Sequence, residues 1–226
     1  MYSNGIIKKI SISNFRSHNQ LSLISSKKNI VLFGDNGAGK TNILEAISLL
    51  APGRGMRSSK YNDMVNVISK SNSFELNFLL KVDQGEIKLS QRYLNNKEKI
   101  SNSYYVDEEK ILSKDLLNYL RIIWVTPVME KIMLQSYSEK RNFFDRLFFN
   151  INKSHLKNCR NLGKLLKERI YLLDQKNYDD KWISIIEQKI AITSYLVLSE
   201  RNQSIELINQ KLKKISEPFT SCKIIV

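Results

Sequence analysis

Apolar positions along the first third of the chain fall into short alternating or continuous runs. Ile6–Asn14 (IIKKISISN) alternates in part and is rich in isoleucine, which predicts a strand. Gln20–Ile24 reads as a short second strand. Asn29–Phe33 (NIVLF) is a continuous apolar run ending at a glycine, the pattern of a strand buried in a sheet covered on both faces. In Asn42–Ala51, Ile43, Ala46, Ile47 and Leu50 share one helical face, and Pro52-Gly53 stops the helix. Gly53–Ile68 reads as a loop. Phe74–Val82 and Glu86–Arg92 then predict an antiparallel hairpin around Asp83-Gln84-Gly85. A further strand is expected near Lys97–Ser101, and another over Leu120–Val125 (LRIIWV).

The period changes after that. Ser136 with Glu139 three positions on is a capping box. From there to about Ile215 the spacing is helical, with Ile205, Ile208, Leu212 and Ile215 at steps of three and four. Pro218 closes the run. Cys222–Val226 (CKIIV) reads as the beginning of a strand. Three segments follow: an α/β lobe over 1–135, a helical lobe over 136–216, and a returning segment over 217–226.

Composition narrows the class. The chain has 226 residues, of which 42% are hydrophobic, enough for a core. Its formal net charge is +14, which favours a polyanionic partner, although a lysine-rich composition also drifts basic without one. The two cysteines, Cys159 and Cys222, are far apart and form neither a disulfide framework nor a CxxC zinc pattern, in keeping with a reducing cytoplasm. No window has the roughly 18 consecutive apolar residues of a membrane helix, and no signal peptide is expected.

Gly34-Asp35-Asn36-Gly37-Ala38-Gly39-Lys40-Thr41 fits GxxxxGK[ST] at every fixed position, between a predicted strand and an amphipathic helix. Glycines let successive N–H groups turn inward on phosphate oxygens, and the helix N-terminus adds partial positive charge. Lys40 is expected on the β- and γ-phosphates of ATP, and the Thr41 hydroxyl on Mg²⁺.

The flanking residues carry a resemblance. NFRSH (Asn14–His18) precedes the loop, TNILEAISLLAPGRGMR (Thr41–Arg57) follows it, and SEKRNFFDRLF (Ser138–Phe148) comes later. In that order they resemble the RecF family of bacterial DNA replication and repair ATPases. In the last block Glu139, Arg141, Phe143, Asp145 and Arg146 match the family's E-R-R-x-F-L-D-R element. The resemblance implies a P-loop head of the ABC/SMC type, a sheet lobe with an inserted helical lobe. It also implies ATP and Mg²⁺ binding, ATP-dependent homodimerisation on gapped or duplex DNA, RecO and RecR as partners, and roles in recombinational repair and the SOS response.

Two departures from the family stand out. Where the family has F-x-P-E-D-L, this chain reads TPVMEKI, with Val128 and Met129 in place of the acids. No signature motif and no apolar strand ending in Asp-Glu occur. The expectation is a head whose C-terminal part is missing, able to bind ATP but with negligible hydrolysis on its own, since the carboxylate that holds magnesium and polarises water is absent.

Other residues keep two readings each. Arg16, Arg54 and Arg57 either meet nucleotide or DNA phosphate or are ordinary turn and loop charges. His18 has no evident partner. Lys153, Lys157, Arg160, Lys164 and Lys167 recur at steps of three and four and line one helix face, either a duplex-backbone footprint or a solvated face. Tyr104, Tyr105, Trp124 and Trp182 are expected in the core or at its edge rather than as base-stacking platforms. The alternatives are the head of another SMC-like repair ATPase, against which stands the short helical block, and a GTPase or kinase module without a DNA role. Against a GTPase, Asn96-Lys97-Glu98-Lys99 lacks the final aspartate of a guanine-reading NKxD.

Overall fold

Phe74, Leu76, Phe78 and Leu80 alternate with polar or half-buried neighbours, so a single strand presents four apolar side chains to one side. In the computed structural model, which describes residues 5–82, 85–96, 98–175, 179–215 and 222–225, that strand organises a six-stranded antiparallel sheet. The elements are β1 (Ile6–Phe15), β2 (His18–Ile24), α1 (Lys40–Ser48), β3 (Ser73–Val82), β4 (Gly85–Asn95), β5 (Ile100–Val106), β6 (Glu109–Ile111), α2 (Tyr137–Ile151), α3 (Lys153–Leu173) and α4 (Asp180–Leu212). The strand order is β2-β1-β3-β4-β5-β6.

Register lines up the core in rows across the sheet. Ile10 faces Phe78, Phe78 faces Leu89, and Leu89 faces Val106. The next row is Ile12, Leu76, Gln91 and Tyr104, and its one polar member is fully buried. The Gln91 amide nitrogen is satisfied, donating to Asn102 Oδ1 at 2.8 Å and to the Tyr104 hydroxyl at 3.3 Å, while its buried Oε1 has no partner among the described residues. Ile43, Ala46, Leu49 and Leu50, from α1 and the turn after it, join the same core. A buried aliphatic or aromatic side chain contributes about 1.5–3 kcal/mol, so these rows hold α1, and the loop before it, against the sheet.

The structure divides into two compact units, Met1–Thr126 and Pro127–Val226. In the second, Ser136 and Glu139 cap α2 reciprocally, as the capping box predicts. Helices α3 and α4 pair along a seam in which α4 buries Ile183, Ile186, Thr193, Val197 and Ser204. Steps of three, four and seven keep these residues on one side of a 33-residue helix.

Several elements differ from expectation. Asn29–Phe33 forms no strand: Val31 is 83% and Phe33 91% exposed, and only Leu32 leans on the core. Leu120–Val125 is likewise not a strand, although Leu120 and Ile122 touch the core while Ile123 and Val125 are exposed. An apolar run demands burial but does not name its hydrogen-bonding neighbour, and among the described residues neither run has one. The strand expected near Lys97–Ser101 lies at Ile100–Val106 and is followed by the unforeseen β6. Residues Cys222–Ile225 are not a strand either: Asn209 grips the Ile224 backbone, donating to its carbonyl at 2.9 Å and accepting from its N–H at 2.8 Å. Asp83, Gln84, Lys97 and Pro218 lie outside the described residues. Trp182, expected in the core or at its edge, is 54% exposed on α4, whereas Tyr104 is buried as expected.

Candidate phosphate-binding site

Between the exposed 29–33 segment and α1 the chain makes one tight loop. Gly34, Gly37 and Gly39 have φ of 144°, 89° and 86°. Gly39 is the N-cap of α1 in the left-handed region, and its carbonyl accepts from the N–H groups of Asn42 and Ile43 at 2.9 and 3.2 Å. The first-turn N–H groups of a helix have no intrahelical acceptor and point along the axis toward whatever sits at its end. Lys40 folds across the loop and donates from Nζ to the carbonyls of Gly34 at 2.7 Å and Asp35 at 2.6 Å. The ammonium and the helix N-terminus thus flank one space, and Thr41 is exposed in the first turn beside it. This donor set suits phosphate oxygens. For magnesium, Thr41 offers one hydroxyl, and among the described residues no three His, Cys, Asp or Glu side chains converge at the loop.

The NFRSH turn is built against this loop. His18, which has no evident partner in the sequence, places Nε2 3.2 Å from the Gly39 carbonyl. A Cβ on Gly39 would stand 2.5 Å from that nitrogen and 2.8 Å from Ser17 Oγ. Asn42 closes the contact, donating from Nδ2 to Ser17 Oγ at 2.8 Å. Only a missing side chain lets the β1–β2 turn lie so near the helix start.

Behind the loop sits a buried carboxylate that sequence reading did not single out. Glu45, on α1, is fully buried and accepts from Arg16 Nε at 2.9 Å, from Arg16 Nη2 at 2.6 Å and from Arg57 Nη1 at 2.9 Å. Arg16 also donates to the Asp63 carbonyl at 2.7 Å and to Ser59 Oγ at 2.8 Å. Arg57 further donates to Asn42 Oδ1 at 2.9 Å. Both arginines are therefore engaged within the protein around α1. Arg54 is exposed and makes no such bond among the described residues. Helical spacing sets Glu45 on the side of α1 away from Ile43, Ala46, Ile47 and Leu50, so the hydrophobic pattern carries no signal for its burial.

A cavity of about 350 Å³ adjoins this arrangement, lined by Arg16, Ser17, Asn42, Asp63, Asn66 and Ile68 among others. Its wall is held in place by short pairing of the 64–66 segment with β1: Arg16 N–H donates to Met64 O at 2.7 Å, and Asn66 N–H to Asn14 O at 2.8 Å.

In the second unit, Lys153, Lys157, Arg160, Lys164 and Lys167 are all exposed on α3, while His155 and Leu165 are buried on its other side and Leu156 is buried at the edge of the basic face. In TPVMEKI, the residues from Pro127 on form part of a 3-10 helix over Pro127–Leu134. No helix among the described residues is long and apolar enough to cross a membrane.

Residues 6–223 match the model of the AAA ATPase domain family. The chain is 32% identical over 216 residues to the DNA replication and repair protein RecF of Rickettsia akari (strain Hartford), spanning 96% of this chain and 59% of that protein. It is 28% identical over 221 residues to the protein of the same name from Rhizobium leguminosarum bv. trifolii (strain WSM2304), again spanning 96% and 59%. Among solved structures it superposes with a TM-score of 0.84 on the recombination mediator protein RecF-ATP in the RecFOR pathway, at 25% identity over 95% of this chain and 57% of that one. The resemblance read from NFRSH, GRGMR and EKRNFFDR holds across the chain, which spans about three fifths of the length of these relatives.

Proposed function

The chain belongs to the AAA ATPase domain family, and from that premise we propose that it is the nucleotide-binding part of a RecF-like DNA replication and repair protein acting in the cytoplasm. Gly34–Thr41 holds ATP. Backbone N–H groups and the start of α1 take the phosphate oxygens, and Lys40 leaves its two loop carbonyls to neutralise the β- and γ-phosphates. Thr41 supplies a hydroxyl to Mg²⁺, whose chemistry there is to offset phosphate charge. Arg16 and Arg57 act by setting the position of α1 through Glu45 rather than by touching phosphate, and Arg54 is the loop arginine left to reach an anion. The cavity beside Ser17 and Asn42 takes the part of the nucleotide beyond the phosphates.

The exposed basic face of α3 meets the DNA backbone without reading sequence. ATP-dependent dimerisation on DNA, RecO and RecR as partners, and service in recombinational repair and the SOS response complete the reading. They are supported by the likeness to proteins named RecF and to a RecF-ATP structure of the RecFOR pathway. This segment by itself holds nucleotide without turning it over, because no acidic pair follows an apolar strand in the sequence.

The observation that carries the reading is the Gly39-capped helix with Lys40 folded over the loop that precedes it. Calorimetric titration of ATP–Mg²⁺ into the chain and into Lys40→Ala tests it. Binding by the first and a loss of at least tenfold in the second are expected. Equal affinity, or no affinity in a folded wild-type chain, would overturn it.

A further inference from the structure

The second unit holds a cluster that the nucleotide reading does not use. His155 and Cys159 are four positions apart on α3 and so share a face. Asp145 comes from α2, and Glu200 and Arg201 from α4. His155 is fully buried, yet both of its ring nitrogens have close polar neighbours. Nε2 lies 2.9 Å from Asp145 Oδ1 and 3.4 Å from Cys159 Sγ, and Nδ1 lies 3.1 Å from Glu200 Oε2.

We infer that Asp145, His155 and Cys159 form a binding site for one divalent transition-metal ion of the zinc class. The three donor atoms lie within 4.8 Å of one another. Tetrahedral zinc, with bonds of about 2.0–2.3 Å, separates its N, O and S ligands by roughly 3.3–3.6 Å. The separations of His155 Nε2 from Asp145 Oδ1, 2.9 Å, and from Cys159 Sγ, 3.4 Å, already lie close to these values, and side-chain rotation of Asp145 and Cys159 brings the third pair into range.

The surroundings are those of a ligating histidine. A metal-bound imidazole characteristically gives its other N–H to a carboxylate, which sets tautomer and ring orientation. Glu200 occupies that place, and its own oxygens are fixed: Oε1 accepts from Asn158 Nδ2 at 2.9 Å and from the Ser154 hydroxyl. Arg201 aligns the Asp145 carboxylate, donating from Nε to Oδ1 at 2.8 Å and from Nη2 to Oδ2 at 2.7 Å. A carboxylate oxygen accepts more than one bond, so Arg201 does not exclude the ion. The mixed N, O and S set suits a borderline-soft cation rather than magnesium or calcium. Asp145 and Cys159 are only partly buried, which gives an ion a way in and leaves a coordination position for water.

With an ion bound, the dication and Arg201 face the Asp145 and Glu200 carboxylates and the Cys159 thiolate, so charge is matched at a largely buried place.

The test uses the full chain carrying Cys222→Ser, which removes the exposed second thiol. After stripping with a chelator, Zn²⁺ is titrated by calorimetry in buffers of different ionisation enthalpy, and Co²⁺ is added as a spectroscopic probe. One ion per chain, release of protons on binding and a thiolate-to-Co²⁺ charge-transfer band are expected. Cys159→Ser, a small change at a partly buried position, should lose the band and at least tenfold in affinity. Glu200→Gln should weaken binding roughly 10–100-fold with the band retained. Lys40→Ala should leave all of this unchanged, so failure here and failure of the nucleotide reading are separable. Absence of a stoichiometric ion, or a Cys159→Ser chain with the same spectrum and affinity, would overturn the site and leave a metal-free charge cluster joining three helices.

Discussion

Arg16 grips the buried carboxylate of Glu45 with two prongs, Nε to Oε2 at 2.9 Å and Nη2 to Oε1 at 2.6 Å, across a sequence separation of 29. An unpaired charge at a fully buried site is costly, and removing one partner of such a pair typically destabilises by about 3–5 kcal/mol. Arg57 still holds Oε2 when Arg16 is lost, so Arg16→Ala should fall near the lower end, about 3 kcal/mol. Arg57 is 40% exposed, and Arg57→Ala should cost nearer 1 kcal/mol. Urea unfolding of the two variants checks the order; a larger loss for Arg57→Ala would show that Arg16 is not the main counter-ion.

Gly39→Ala puts a methyl group where His18 Nε2 stands 2.5 Å away, on a residue with φ of 86°. The left-handed backbone alone costs an L-residue about 1–2 kcal/mol, and the clash adds to it. His18→Ala in the Gly39→Ala background should recover the clash but not the backbone part. A double-mutant cycle in thermal unfolding reads the difference. Strict additivity would mean that His18 and Gly39 do not meet.

His155 makes stability depend on alkaline pH in the metal-free protein. Burial pushes its pKa down, but the hydrogen bonds to Asp145, Cys159 and Glu200 outweigh this and raise it from 6.5 to about 10. A raised pKa means that the folded state holds the proton more tightly. The contribution is therefore complete below the unfolded value and is lost as pH climbs from there through about 10. In chelator-treated protein the urea midpoint should fall across that window, and His155→Gln should flatten the fall. An unchanged slope in the variant would assign the pH dependence elsewhere.

Duplex DNA binding should weaken steeply with salt if the α3 face neutralises phosphates. Changing Lys157, Arg160 and Lys164 together to alanine should lower the slope of log K against log salt by about 0.9 for each phosphate contact removed. These side chains are exposed, so stability should change little. Fluorescence anisotropy with two unrelated duplexes measures both affinity and indifference to sequence. A slope that survives the triple change would place the DNA contact elsewhere.

How much was legible varied with the range of the interaction. The loop Gly34–Thr41, the Ser136–Glu139 cap, the alternation of Phe74 to Leu80 and the family likeness all rest on residues within a few positions of each other, where backbone geometry alone ties spacing to structure. Asn29–Phe33 and Leu120–Val125 were misread because apolar content is a property of the segment, whereas being a strand is a property of a pair.

The sequence by itself determined a glycine-rich loop of the GxxxxGK[ST] pattern at the start of a helix, a strand-rich lobe, a helical lobe and the family to which they belong. Only the tertiary structure decided that Arg16 and Arg57 are occupied by Glu45, that His18 meets Gly39, and that Asp145 joins His155 and Arg201, a partner 56 positions away. The physical reason is that a buried charge or a close backbone approach is set by which distant groups share one small volume. Spacing along the chain specifies that only within a turn of helix or a pair of adjacent strands.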